Sequence, residues 1–96
     1  MTDTEIKIIN LIRKSGGMML AGNREFYEGL EIKNEEFILY GGDTVSNTEE
    51  YRHRISDEEA LEKICNYYRD KAYIFGSNKV LTPEEIYAYM IKNLNI

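Results

Sequence analysis

The sequence predicts an α+β fold: a small antiparallel sheet of three to four strands, with an N-terminal helix and two C-terminal helices packed on one face. Three observations carry this reading. Apolar residues recur at helical spacing at both ends of the chain, residues alternate with a two-residue period in the middle, and two Ser/Thr-x-x-Glu boxes, at 56–59 and 82–85, open the C-terminal segments. Ninety-six residues suit one domain, 1–96, with a real core but little depth for an enclosed active site.

The first helix is capped by Thr2 or Thr4, with Asp3 and Glu5 placed to complement its positive end. Ile8, Ile9, Leu11 and Ile12 form its apolar stripe, and Gly16-Gly17 stops it, one of them left-handed. Met18 to Ala21 reads as a short strand and Gly22-Asn23 as a turn. From Glu25 to Lys33 the chain alternates, with Phe26, Glu28, Leu30 and Ile32 on one face and Tyr27, Gly29, Glu31 and Lys33 on the other. Glu28 is the misfit on the apolar face. A tight turn at 33–35 leads to a second strand, Glu36 to Tyr40, which Gly41-Gly42-Asp43 is expected to end; Val45 to Thr48 reads as a polar loop. Glu49 to Ile55 alternates again, with Tyr51, His53 and Ile55 opposite Glu50, Arg52 and Arg54.

Ser56 and Glu59 cap the second helix, whose core positions are Leu61, Ile64, Cys65, Tyr68 and Ala72. Tyr73 to Gly76 is apolar and β-prone, a candidate short strand, followed by a turn at 76–78. Thr82 and Glu85 cap the last helix, with Pro83 at its first position, where the missing N–H is no loss. Ile86, Tyr89, Met90 and Leu94 are its expected core face.

Charge is the most informative guide to partners. Residues 1–24 hold four bases against two acids, residues 51–96 hold seven of each, and residues 25–50 hold eight acids against Lys33. The entire net charge of −5 therefore comes from the middle third. The order helix, three strands, helix resembles the double-stranded-RNA-binding topology. That module needs cations facing phosphates, whereas the helix after these strands opens with Asp57, Glu58 and Glu59, so no direct nucleic-acid binding is expected.

Other chemistries find little support. One cysteine excludes an internal disulfide, and one Cys with one His does not make a zinc set. The glycine pairs lack the longer pattern of a phosphate loop. No metal or cofactor is expected, and an enzyme is not the favoured reading. The opening Met-Thr-Asp-Thr-Glu has no signal-peptide character and no apolar run approaches the length of a membrane span, so a reduced, cytoplasmic location without membrane contact is expected.

Two surfaces remain. The first is the acidic hairpin with its tyrosines: Glu25, Tyr27, Glu28, Glu31, Glu35, Glu36, Tyr40, Asp43, Glu49, Glu50 and Tyr51. Carboxylates spaced along and across strands approximate a phosphate backbone, and tyrosines supply contact area. This points to a non-enzymatic protein that binds a basic partner, one that handles nucleic acid, and inhibits it. In size, acidity and element order the chain is similar to the small inhibitors of phages and mobile elements, anti-CRISPR proteins among them, and equally to immunity proteins that neutralise a basic toxin; no diagnostic motif carries the likeness. The second surface is Arg52, His53 and Arg54, an alternative anion-ligand or catalytic site, although alternation turns both arginines away from His53. A homodimer through strand pairing at Tyr73–Phe75 or through an exposed tyrosine face is a third reading.

Overall fold

The computed structural model describes residues 1–74 and 80–94. Helix α1 (Asp3–Ser15) leads into strands β1 (Gly17–Gly22), β2 (Phe26–Lys33), β3 (Glu36–Asp43) and β4 (Thr48–Ile55), followed by α2 (Asp57–Ile74) and α3 (Pro83–Leu94). The strands form one antiparallel sheet in sequence order, β1-β2-β3-β4, and the helices cover one face of it.

Local chemistry sets the ends of most elements. Thr2 and Glu5 form a reciprocal capping box on α1, and Gly16, at φ 90°, closes it in the left-handed conformation. Gly17 follows at φ 121° and lies so close to the Leu30 carbonyl of β2 that no side chain fits there. Asn23 turns the chain between β1 and β2 by accepting hydrogen bonds from the Glu25 and Phe26 amides, each at 2.8 Å. Asn34 (φ 52°) and Glu35 (φ 66°) form the two-residue β2–β3 turn, whose positive dihedrals match the twist of the strands. Ser56 Oγ accepts from the Glu59 amide at 3.1 Å to start α2, and Thr82 and Glu85 cap α3 reciprocally.

The core is a layer between helices and sheet. Ile8, Ile9 and Ile12 of α1, Ile64 of α2, Ile86 and Met90 of α3, and Phe37 of β3 are essentially sealed from solvent, with Leu30, Leu39 and Ile55 completing the sheet side. Burial of each large aliphatic side chain contributes about 1.5–3 kcal/mol. Arg13, at the end of α1, ties three segments together. It donates to the Glu35 carbonyl at 2.8 Å and to Asp57 Oδ1 at 2.8 Å, and its guanidinium lies 4.9 Å above the Phe37 ring.

Several expectations are corrected. Gly41 and Gly42 do not end β3; the strand continues through both to Asp43, because side chain and backbone of β4 lie directly over them where any side chain would collide. Thr48, expected in the loop, opens β4 opposite Asp43. Tyr73 and Ile74 are the last turn of α2, so the expected strand does not start there; its remaining residues and the turn at 76–78 lie outside the described residues. Tyr89 is 39% exposed and only edges onto the Tyr68 ring at 5.6 Å, because Ile86 and Met90 already fill the core face of α3.

The two glycines after α1 separate conformation from space. Gly16→Ala keeps open room and is expected to destabilise by about 1 kcal/mol, the strain of a left-handed alanine. Gly17→Ala adds a backbone collision and is expected to lose about 2 kcal/mol or more. Urea unfolding of both variants measures this, and equal midpoints would contradict the close β1–β2 approach.

Candidate functional site

The register assigns every candidate residue to a face. On the helix-covered face, one row reads Ala21, Glu28, Gly41, Tyr51 across the four strands, and the next reads Met18, Leu30, Leu39, His53. On the open face the corresponding rows are Met19, Gly29, Tyr40, Arg52; Gly17, Glu31, Ile38, Arg54; and Gly22, Tyr27, Gly42, Glu49. Adjacent strands lie about 4.8 Å apart, so residues within a row are direct neighbours.

In each of two rows a tyrosine crosses a glycine. Tyr40 lies over Gly29, with its hydroxyl 2.5 Å from where a Gly29 Cβ would stand, and reaches Met19 Sδ at 3.4 Å on β1. Tyr51 lies over Gly41 on the other face, and its hydroxyl donates to Glu28 Oε2 at 2.5 Å. Each glycine leaves the gap that lets a tyrosine span two strand spacings. Glu28, the misfit of the sequence pattern, is thereby explained. It is half-buried between sheet and α2, and Lys63 Nζ approaches its other oxygen at 3.5 Å. Burial first, and then the adjacent Glu28 carboxylate, hold the Tyr51 hydroxyl protonated well above its usual range.

The acids of the hairpin do not share a face. Glu31 and Glu49 both hold Arg52 on the open face, the Glu49 contact at 2.7 Å, and Glu36 holds Arg54 at 3.0 Å. The Arg52 guanidinium pulls the Glu49 carboxyl below its usual range. The same guanidinium lies 5.1 Å from the centre of the Tyr40 ring. Asp43 caps its own loop, accepting from the Val45 amide at 2.8 Å and the Ser46 amide at 3.3 Å. Glu50 is the extra residue of a β-bulge opposite Gly41 and Gly42. Glu25 lies at the same end of the sheet, its carbonyl bonded to the Thr44 amide at 3.1 Å, while Glu35 lies at the other end, in the β2–β3 turn. On the open face Glu31, Glu36 and Glu49 are balanced by arginines; of the other acids, Glu25, Asp43 and Glu50 lie at the β3–β4 end of the sheet and the exposed Glu35 at the opposite end.

Arg52, His53 and Arg54 do not converge. Both arginines lie on the open face bound to carboxylates, and His53 lies on the opposite face 6.2 Å from the Tyr51 ring. His53 is exposed on the edge strand β4, although its strand neighbours Tyr51 and Ile55 on the same face pack against the core. Cys65 lies in the core, where burial pushes its thiol up and keeps it protonated, a poor nucleophile. Among the described residues, no three His, Cys, Asp or Glu side chains come together to hold a metal ion, and no helix is long and apolar enough to cross a membrane.

What the open face offers instead is a contact surface. Tyr27 and Tyr40 (ring centres 6.4 Å apart), Ile38 and the half-exposed Met19 form an apolar strip bordered by the Arg52 and Arg54 ion pairs. Beside it, Gly16, Gly17, Met19, Glu31, Tyr40 and Arg52 border a shallow depression of about 420 Å³. Sequence reasoning named the tyrosines and the arginines but not Met19 or Ile38. The alternation of β3, with Ile38 between two core residues, was the available signal. Comparison with family models, with curated proteins and with solved structures finds no match.

The Tyr51–Glu28 bond makes stability depend on alkaline pH. Because the folded state raises the Tyr51 pKa above its ordinary 10.0, the stabilising contribution is complete below about pH 10 and is lost as pH rises towards the folded value. Tyr68, buried and pushed up to about 12, acts in the same direction. Tyr51→Phe is expected to lose about 1 kcal/mol at neutral pH and to make the decline above about pH 10 shallower. Urea midpoints across pH measure both effects; an unchanged alkaline slope would show that Tyr51 does not carry it.

Proposed function

We propose that this chain is a non-enzymatic binding protein that engages a basic protein partner through the open face of its sheet. The observation that carries the reading is the one-sided fold. Three helices satisfy one face, while the other presents Tyr27, Ile38, Tyr40 and Met19 with no covering element among the described residues. Tyrosine, methionine and arginine are the residues enriched at protein interfaces, and tyrosine and arginine dominate their hot spots. The ion pairs on this face are already satisfied, so they contribute specificity and register more than affinity.

The preference for a basic partner rests on charge. The net −5 arises wholly from residues 25–50, and three of its acids with no ion pair among the described residues, Glu25, Asp43 and Glu50, lie at the β3–β4 end of the sheet. Acid at one end of a charge-balanced apolar strip steers a cationic partner in and then lets packing hold it. A nucleic-acid-handling protein has such a cationic surface, and occupying its phosphate-binding groove would inhibit it. The inhibitor reading thus extends the binding reading and stands or falls with it. A site built on Arg52, His53 and Arg54 has less support, since those side chains point to opposite faces.

The test is capture of a partner from nuclease-treated lysate at low and high salt, with wild-type chain, the Tyr27→Ala/Ile38→Ser double variant, and Glu84→Gln on the exposed side of α3 as control. The expected result is one basic protein held by the wild type and the control, weakened by salt and lost at least tenfold by the double variant, whose fold is verified by circular dichroism. Hydrogen exchange on the complex should then show protection in 26–33 and 36–43. Equal capture by the double variant overturns the open-face reading.

A further inference from the structure

The sheet has two edges, and they are built differently. The β4 edge carries Glu49, Glu50, Arg52, His53 and Arg54 and is bulged at Glu50, features that block pairing with another strand. The β1 edge reads Gly-Met-Met-Leu-Ala-Gly, six residues with neither a charge nor a proline. Among the described residues, the backbone of Met18–Gly22 hydrogen-bonds only to β2. The strand has a bulge at Leu20, which adds twist but no charge. Alongside this edge, Met19, Leu20, Ala21 and Gly22 face Tyr67, Asp70 and Lys71 of α2 across a groove of about 340 Å³.

From these features we infer that the β1 edge is a self-association surface, where β1 of a second copy pairs antiparallel with β1 of the first about a two-fold axis. Charge selects the occupant. The acid excess in residues 25–50 drives two copies apart wherever that region faces itself, and it attracts a basic protein there. At the β1 edge neither force acts, because the strand is uncharged and the groove holds one acid and one base, Asp70 and Lys71, on adjacent positions. A two-fold contact is isologous, so each copy presents the same uncharged strand and the same neutral Asp70/Lys71 groove to the other, with no net charge opposing the approach. The product is one continuous sheet with four strands from each copy, all helices on one side and the two open faces joined on the other. The inference is independent of the basic-partner reading, which concerns the sheet face and not its edge.

Light scattering and sedimentation equilibrium of the purified wild type over a concentration series are the first measurement. The expected mass is twice the 11.2 kDa of one chain. Ala21→Lys, which places a cation on the edge of each copy, is expected to raise the dissociation constant about tenfold or more while the circular dichroism spectrum and melting temperature stay close to wild type. As a positive readout, Met19→Cys is expected to give a disulfide-linked dimer under air oxidation, whereas Asn47→Cys, in the β3–β4 turn at the far edge of the sheet, is not. A monomer at every concentration overturns the inference. So does a dimer that the folded Ala21→Lys variant leaves intact, or one that cross-links through position 47 and not position 19.

Discussion

Everything in this fold depends on burying the apolar stripe of α1. Ile8, Ile9, Leu11 and Ile12 lie on one side of a thirteen-residue helix whose remaining residues, apart from the exposed Ile6, are polar. No isolated helix of that length is stable in water. The stripe is satisfied only when α2, α3 and the sheet close around it together, so the N-terminal segment becomes the centre of the core and the C-terminal helices its walls. Arg13 then fixes the angle of approach, since one guanidinium meets the β2–β3 turn, the first residue of α2 and the Phe37 ring. The same constraint makes the sheet one-sided. With three helices spent on one face, none among the described residues covers the other.

A one-sided sheet must treat its two faces by different chemistry, and here the contrast is carried by two tyrosine-over-glycine crossings. On the covered face, Tyr51 crosses Gly41 to reach Glu28, which lets a carboxylate sit at the edge of the core with a hydroxyl and an ammonium to satisfy it. On the open face, Tyr40 crosses Gly29 towards Met19 and lies beside Arg52, which makes an apolar strip with its charges already paired. The glycines are needed for both. Gly41 reads as a strand breaker in the sequence, yet like Gly29 it acts as a gap for a ring from the neighbouring strand, in keeping with the positional meaning of glycine in sheets.

The acidic middle third changes meaning once the register is known. Eight acids in twenty-six residues read as a negative face. In the fold they divide among the open face, the covered face and both ends of the sheet, and three of the four on or near the strands' open side are tied to arginines of β4. Of the acids with no ion pair among the described residues, Glu25, Asp43 and Glu50 lie at the β3–β4 end and Glu35 at the other. A surface with balanced charge in the middle and more acid at one end than at the other favours steering and orientation over uniform electrostatic attraction.

The sequence by itself determined the order of helices and strands apart from the short strand expected at Tyr73–Gly76, the apolar positions of α1 and of α2 as far as Tyr68, the hairpin at 33–35 and the caps at Ser56 and Thr82, while leaving the cap of α1 between Thr2 and Thr4. These depend on spacing and on hydrogen bonds within three or four residues, which a linear reading contains. It also turned Arg52 and Arg54 away from His53, because strand alternation is local too. Only the tertiary structure decided that Gly41 and Gly42 belong inside a strand, that Glu28 has Tyr51 and Lys63 as partners, that His53 is exposed at an edge, and that Met19 and Ile38 join the tyrosines. Each of these depends on which residue of one strand stands opposite which residue of the next, or on where the helix layer ends. Those are relations between segments many residues apart, fixed by packing and register, and no local pattern of residues encodes them.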